Sequence, residues 1–151
     1  MESVKKVRVT FSPLSVVSLC LSAGAALTPA TARGQIFVAN YGNCTIGEYN
    51  LDGTTVNAAL VSGASTLNSK LNDPLGIAVS GSDLFVTTPG NGTIGEFTTS
   101  GATVSAPLAG GNWWGGIAVS GSDVFVASFD GGTIGEYTTS GATVNASLVS
   151  G

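Results

Sequence analysis

The chain has 151 residues; 9% are charged, against a typical quarter, and 22 are glycine. Hydrophobic residues make up 43%, which excludes a disordered polar chain. Five Lys and Arg are too few for a nucleic-acid-binding patch, and a sequence without His has no Ser-His-Asp triad, His general base or His-ligated zinc or haem.

Residues 1–32 read as a secretory signal peptide. Lys5, Lys6 and Arg8 form a basic start, Val9 to Leu27 is an apolar run, and Ala30 and Ala32 supply the small side chains that cleavage needs. The expected location is secreted, periplasmic or cell-surface. An uncleaved anchor is the alternative, but Pro13 and the serines inside the run disfavour a stable span, so no membrane contact is expected after cleavage. Residues 33–151 keep two positive charges, Arg33 and Lys70, against eight carboxylates, a net charge of −6. Such a chain has no electrostatic pull toward nucleic acid or anionic membrane. Cys44 is then the one cysteine left, so no intramolecular disulfide can form. It reads as a half-buried small residue, because no His stands ready to activate it.

The rest of the chain is one motif written about three times. Thr-Ile-Gly-Glu-Tyr/Phe occurs at Thr45–Tyr49, Thr93–Phe97 and Thr133–Tyr137, at spacings of 48 and 40 residues. Gly76–Gly110 matches Gly116–Ser150 at 24 of 35 positions, and Ile36–Gly63 matches Val124–Gly151 at 17 of 28. The longer spacing holds eight extra residues within Ala64 to Asp73. A period near 40 with several strands per unit is the signature of a propeller blade. In the third unit, Gly116–Val119 predicts a short apolar strand and Ser120–Asp123 a tight turn. Val124–Ala127 predicts a second strand, and Asp130-Gly131-Gly132 a second turn. Thr133–Tyr137 alternates as a third strand, and Ala142–Leu148 follows Ser140-Gly141 as a fourth. Short connections throughout predict an antiparallel meander, with the apolar first strand nearest the axis and the polar fourth outermost.

These residues resemble a known family. Pro74-Leu75-Gly76-Ile77-Ala78-Val79, Leu84-Phe85-Val86, Gly90-Asn91-Gly92 and Thr93-Ile94-Gly95-Glu96-Phe97 look like NHL repeats, and Ile36–Ile46 fits the middle of the same pattern. The resemblance implies β-propeller blades and is weak for function, since propellers host many activities. Asn40 stands where the family often has Asp, and Thr45, Thr93 and Thr133 where it often has a basic residue. Those departures argue against a phosphate or nucleic-acid surface.

The expected fold is therefore all-β: four-stranded antiparallel propeller blades in an incomplete ring of about three. The expected division is a signal peptide at 1–32, a partial first blade with its connecting loop at 33–75, a second blade at 76–110 and a third at 111–151. From Gln35 the first unit reads as three strands without an inner one. Propellers usually carry four to eight blades. Two readings follow: a piece of a longer propeller, or a ring completed by self-association, two copies giving six blades. A parallel β-solenoid is the alternative fold; the hairpin-spaced turns disfavour it.

Trp113 and Trp114 lie in the loop before the third inner strand, with Asn112 beside them. Adjacent indoles in a Gly-rich loop suit stacking on a sugar or a peptide, and packing between blades is the competing role. Asn72 and Asp73 take the matching place before the second inner strand. Lactonase-type propellers hold a divalent cation with such groups, and Ca²⁺ would be the cation for hard oxygen ligands. We expect no cofactor and no catalytic residue. Glu48, Glu96 and Glu136 recur once per unit and read as outward-facing strand residues near the blade edge rather than a carboxylate ring. The function read from the residues is an exported, non-catalytic propeller segment for protein or glycan interaction. A metal-dependent propeller hydrolase or lactonase, and a truncated product without activity, are the alternatives.

Overall fold

The computed structural model of the chain describes residues 16–20, 34–64, 69–111 and 114–151. The first sheet runs β1 (Val16–Cys20), β2 (Gln35–Asn40), β3 (Thr45–Asn50), β4 (Thr55–Ser62), with a 3-10 turn at Tyr41–Asn43. The second runs β5 (Ile77–Ser80), β6 (Asp83–Thr88), β7 (Thr93–Thr98), β8 (Thr103–Gly110). The third runs β9 (Trp114–Ser120), β10 (Asp123–Ser128), β11 (Thr133–Thr138), β12 (Thr143–Ser150). Each is an antiparallel meander in chain order, so the blade reading holds: the fold is all-β, built of propeller blades.

Local chemistry accounts for the strands. Ser80 pairs with Asp83 and Ser120 with Asp123 across two-residue turns. Gly81 and Gly121 take φ of 59° and 61° there, a region that costs a side chain energy and glycine little. Between each third and fourth strand the register shifts at the same place, after Ile46, Ile94 and Ile134. A repeated bulge re-aims the outer strand in every blade.

One expectation needs correction. The first blade does have an inner strand. Val16–Cys20 pairs antiparallel with β2, Val16 opposite Ala39 and Cys20 opposite Gln35. The free edge of β2 presents unpaired backbone groups, and Val-Val-Ser-Leu-Cys has the β-branched and apolar content to pair with them. It lacks the Gly-Ile-Ala-Val pattern that marks the other inner strands, so the repeat comparison passes over it. This strand falls inside the segment read as a signal peptide; the rest of that segment, Ala30 and Ala32 included, lies outside the described residues.

The inner strand β5 lies against β1 on one side and β9 on the other. The core is sandwiched between blades. Phe37, Ala39, Ile46 and Val61 of the first sheet meet Leu84, Val86 and Phe97 of the second. Phe85 and Ile94 of the second meet Trp114, Val124, Val126 and Tyr137 of the third. Alternation along each strand explains this: Phe85 points one way, Leu84 and Val86 the other. Burying one such side chain is worth about 1.5–3 kcal/mol, so most of the stabilisation sits at the two junctions. Thr87 adds a polar tie: fully buried, it accepts from the Gly76 N–H at 2.8 Å and donates to the Gly115 carbonyl of the next blade at 2.8 Å.

The outer faces of the first and third sheets have no blade against them among the described residues. Ile46 and Ile94 are 0% exposed, whereas their repeat equivalent Ile134 is 37% exposed. Val61 is 7% exposed and its equivalent Val149 51%. Phe129, in the turn after β10, is 69% exposed. On the opposite side, Ile36, Val38 and Tyr49 are half-buried where Leu84, Val86 and Phe97 are fully covered.

Candidate functional site

The two blade junctions differ, and the difference lies in the connections that lead into them. The final strand of each blade closes with the same backbone bond: Gly63 N to Cys44 O, Gly111 N to Gly92 O, Gly151 N to Gly132 O. Gly63 and Gly111 are thus equivalent. After Gly63 come the extra residues of the longer connection, of which 65–68 lie outside the described residues. Its described end, Ser69–Leu71, runs back into the junction of the first and second blades. Leu71 is fully buried in that core. A Cβ on Gly63 would collide with the Leu71 carbonyl, and one on Gly95 would meet the Lys70 carbonyl at 3.6 Å. Asn91 anchors the segment by donating to the Ser69 carbonyl, and Asn72 Nδ2 donates to Asn91 Oδ1 at 3.0 Å.

The junction of the second and third blades has no such insert and keeps a cavity of about 340 Å³. Gly111, Gly131 and Gly135 line it, at the positions of Gly63, Asn91 and Gly95. The ring of Trp114 is buried against Gly111 as Leu71 is against Gly63, and Gly131 stands where Asn91 anchors the longer connection. Trp114, Tyr137 and Val126 form an apolar wall, the two aromatic rings 5.2 Å apart and tilted by 31°. Ser128, Thr133 and Thr143 bring hydroxyls. None of the lining side chains is charged.

Those hydroxyls differ from their counterparts. Thr88 Oγ1 bonds the Thr93 carbonyl at 2.9 Å and shares a 2.6 Å hydrogen bond with the Thr93 hydroxyl. In the first blade Asn40 Nδ2 donates to Thr45 Oγ1 at 3.1 Å. The equivalent pair, Ser128 and Thr133, makes no side-chain hydrogen bond among the described residues.

Of the predicted site residues, Trp114 lines the cavity. Asn112 and Trp113 lie outside the described residues. Asn72 and Asp73 are not in the cavity; they sit at the other junction, where Asn72 is buried against Gly90 and its Oδ1 has no partner among the described residues. Asp73 has φ 51° and its Oδ1 lies 3.8 Å from Cys44 Sγ. No group of three or more His, Cys, Asp and Glu side chains gathers among the described residues. Tyr137, Ser128 and Thr133 are the lining residues that sequence reasoning missed. No sequence signal sets them apart, because Tyr49 and Phe97, and Thr45 and Thr93, hold the equivalent positions in the other blades.

The repeated glutamates are less outward than expected. Glu48 is 6% exposed and accepts from Gln35 Nε2, which makes its burial tolerable. Glu96 is half-buried; desolvation, then the charge of Asp83, raises its pKa above the usual carboxylate value. Cys44 is fully buried rather than half-buried, and has φ 54° where the other blades carry Gly92 and Gly132.

No family model and no curated protein matches the chain. Solved structures do. A chain of a nidogen/laminin complex matches with TM-score 0.61 at 12% identity, over 75% of this chain and 42% of that one. The hydrazine synthase of Kuenenia stuttgartiensis matches with TM-score 0.58 at 16% identity, over 78% of this chain and 34% of that one. The computationally designed Ika4 protein matches with TM-score 0.52 at 17% identity, over 69% of this chain and 59% of that one. The chain thus spans less than half the length of the first two. At these identities the likeness concerns fold alone, and the fold it supports is β-propeller-like.

Proposed function

We propose that the chain is a non-catalytic module of NHL-like propeller repeats that works by binding, and that its principal contact is a second copy of itself, blade face to blade face. One observation carries this reading. The outer face of the third blade repeats, residue for residue, the face that the first and second blades bury. Phe125, Ile134 and Val149 stand where Phe37, Ile46 and Val61 are packed away. Their complement, Ile36, Val38 and Tyr49, is half-buried on the first blade, with no blade against it among the described residues. The molecule contains this interface twice, so both halves of a third are already shaped. Joining two copies at both ends gives a closed C2 ring of six blades, inside the usual range.

The test uses substitutions on and off that face. Ile134→Asp with Val149→Asp puts charge into the proposed interface, and light scattering should then show single chains. Val104→Asp is the control, because Val104 and its equivalents Val56 and Val144 are exposed in all three blades; it should leave association unchanged. Association that survives the Ile134 and Val149 pair overturns the reading.

A further inference from the structure

We infer that acid gates the copy–copy contact: the carboxylates of Asp123 and Glu136 oppose it at neutral pH and let it close when they take up a proton from solvent. This rests on the self-association reading and adds the condition under which the contact forms.

The three blades fill one pair of positions differently. Asp123 and Glu136 repeat Gln35 and Glu48 of the first blade, and Asp83 and Glu96 of the second. Each Glu follows the isoleucine of its strand by two residues, so it shares that isoleucine's face. Phe125 pairs with Glu136, and Asp123 lies two residues from Phe125, which makes the two carboxylates diagonal neighbours on one face. In the first junction Glu48 is buried, and the neutral amide of Gln35 donates to it. In the second junction the neighbour is another carboxylate, and desolvation, then the charge of Asp83, raise the pKa of Glu96. The third blade carries the acidic version of the pair on the face that has no blade against it among the described residues. A partner's first blade laid over that face strips water from two like charges, which favours the protonated form. The associated state then holds a proton that the single chain releases. Association is therefore favoured in acid and weakens as pH rises toward neutrality.

Among the described residues, nothing brought to the contact neutralises the pair. On the third blade Asn145 of β12 and Phe125 of β10 stand opposite Glu136, and neither β9 nor β12 has an ionisable side chain. The partner's first blade brings Ile36, Val38 and the phenol of Tyr49, and its β4 has no ionisable side chain either. Its turn before β4 brings one more charge, of the same sign. Gly101 packs on the Leu60 carbonyl and Gly141 on the Leu108 carbonyl, each so closely that a Cβ would collide. Gly53 holds the same place in the first blade with open space around it, and Leu148, the third-blade equivalent of Leu60 and Leu108, is exposed. Seating Gly53 on Leu148 carries its neighbour Asp52 to the rim of the contact.

The experiment is sedimentation equilibrium of the full chain at about pH 5 and about pH 7.5, on either side of the range that a buried carboxylate reaches. The dimer should be at least about fivefold weaker at the higher pH. Asp123→Gln rebuilds the Gln35–Glu48 pair of the first junction, and Glu136→Gln removes the other charge. Each should strengthen the dimer at the higher pH and flatten the pH dependence. Asp130→Asn removes one negative charge from the exposed turn after β10, away from the contact, and should leave the pH dependence as it is. Dimers of equal strength at both pH values overturn the inference while the self-association reading stands. So does a pH dependence that both Gln variants retain, or one that Asp130→Asn abolishes equally. Single chains at both pH values, in the parent and in both Gln variants, overturn the self-association reading and the inference with it.

Discussion

Ile94 and Ile134 occupy the same position of the repeat, yet one is sealed between blades and the other is 37% exposed. Sequence alone cannot separate them, because what differs is the neighbour and not the residue. Ile94→Ala should cost about 2–5 kcal/mol, as truncation of a buried isoleucine does. Ile134→Ala should cost under about 1 kcal/mol in dilute solution, and more as copies associate over it; urea titrations at two protein concentrations read both. Glu96 offers a pH-linked counterpart. Its folded pKa is raised by burial and by Asp83, so the folded state holds the proton more tightly than the unfolded chain. The penalty is absent below the unfolded value near 4.5 and grows as pH rises through the raised folded value. Glu96→Gln should therefore raise the melting temperature at neutral pH and leave it nearly unchanged in acid. A larger gain in acid than at neutral pH would reverse the assigned cause. Cys44 shows what the residue pattern concealed. The other blades place glycine at its left-handed position, which turn chemistry makes legible; a cysteine there does not announce the same backbone.

At the scale of elements, the meander was legible because its punctuation is local. Ser-Gly-Ser-Asp turns, β-branched runs and the repeated pentapeptide fix strand order without reference to the rest of the chain. Two elements were not legible. The strand Val16–Cys20 carries no repeat pattern, and an apolar run after a basic start reads equally well as an export signal. The plug at Leu71 is a tertiary fact: the eight extra residues were visible, but their return into the junction was not. The candidate site inherits that blindness, since its lining is assembled by the fold from residues of five strands, β8 to β12. Leu71→Ala should destabilise the chain by about 2–5 kcal/mol, with chemical-shift changes concentrated on Val86 and Phe97. Thr87→Val tests the tie between blades. It keeps the shape, removes the donor to the Gly115 carbonyl and should cost about 1–3 kcal/mol. Amide exchange would show the loss as faster opening of β9 relative to β2.

For the whole molecule, the physics is that of repeat architectures. A blade buries its faces only against other blades, so each sheet is stabilised by its neighbours. Among the described residues the second blade has both neighbours and is buried on both faces along β6, and the first and third have one each. Ile134 and Val149 are exposed on the outer side of the third blade and Ile36, Val38 and Tyr49 half-buried on the outer side of the first, two sides that are complementary by repetition, the geometry from which a ring of copies is made. Because that contact is apolar, added salt should leave it intact, in contrast to an ion-pair interface. Sedimentation velocity over a wide range of protein concentration measures the central claim directly. The account predicts a compact particle of twice the chain mass, dissociating only at the lowest concentrations and reduced to single chains by Ile134→Asp with Val149→Asp. A monodisperse single chain at every concentration, melting cooperatively, would contradict it.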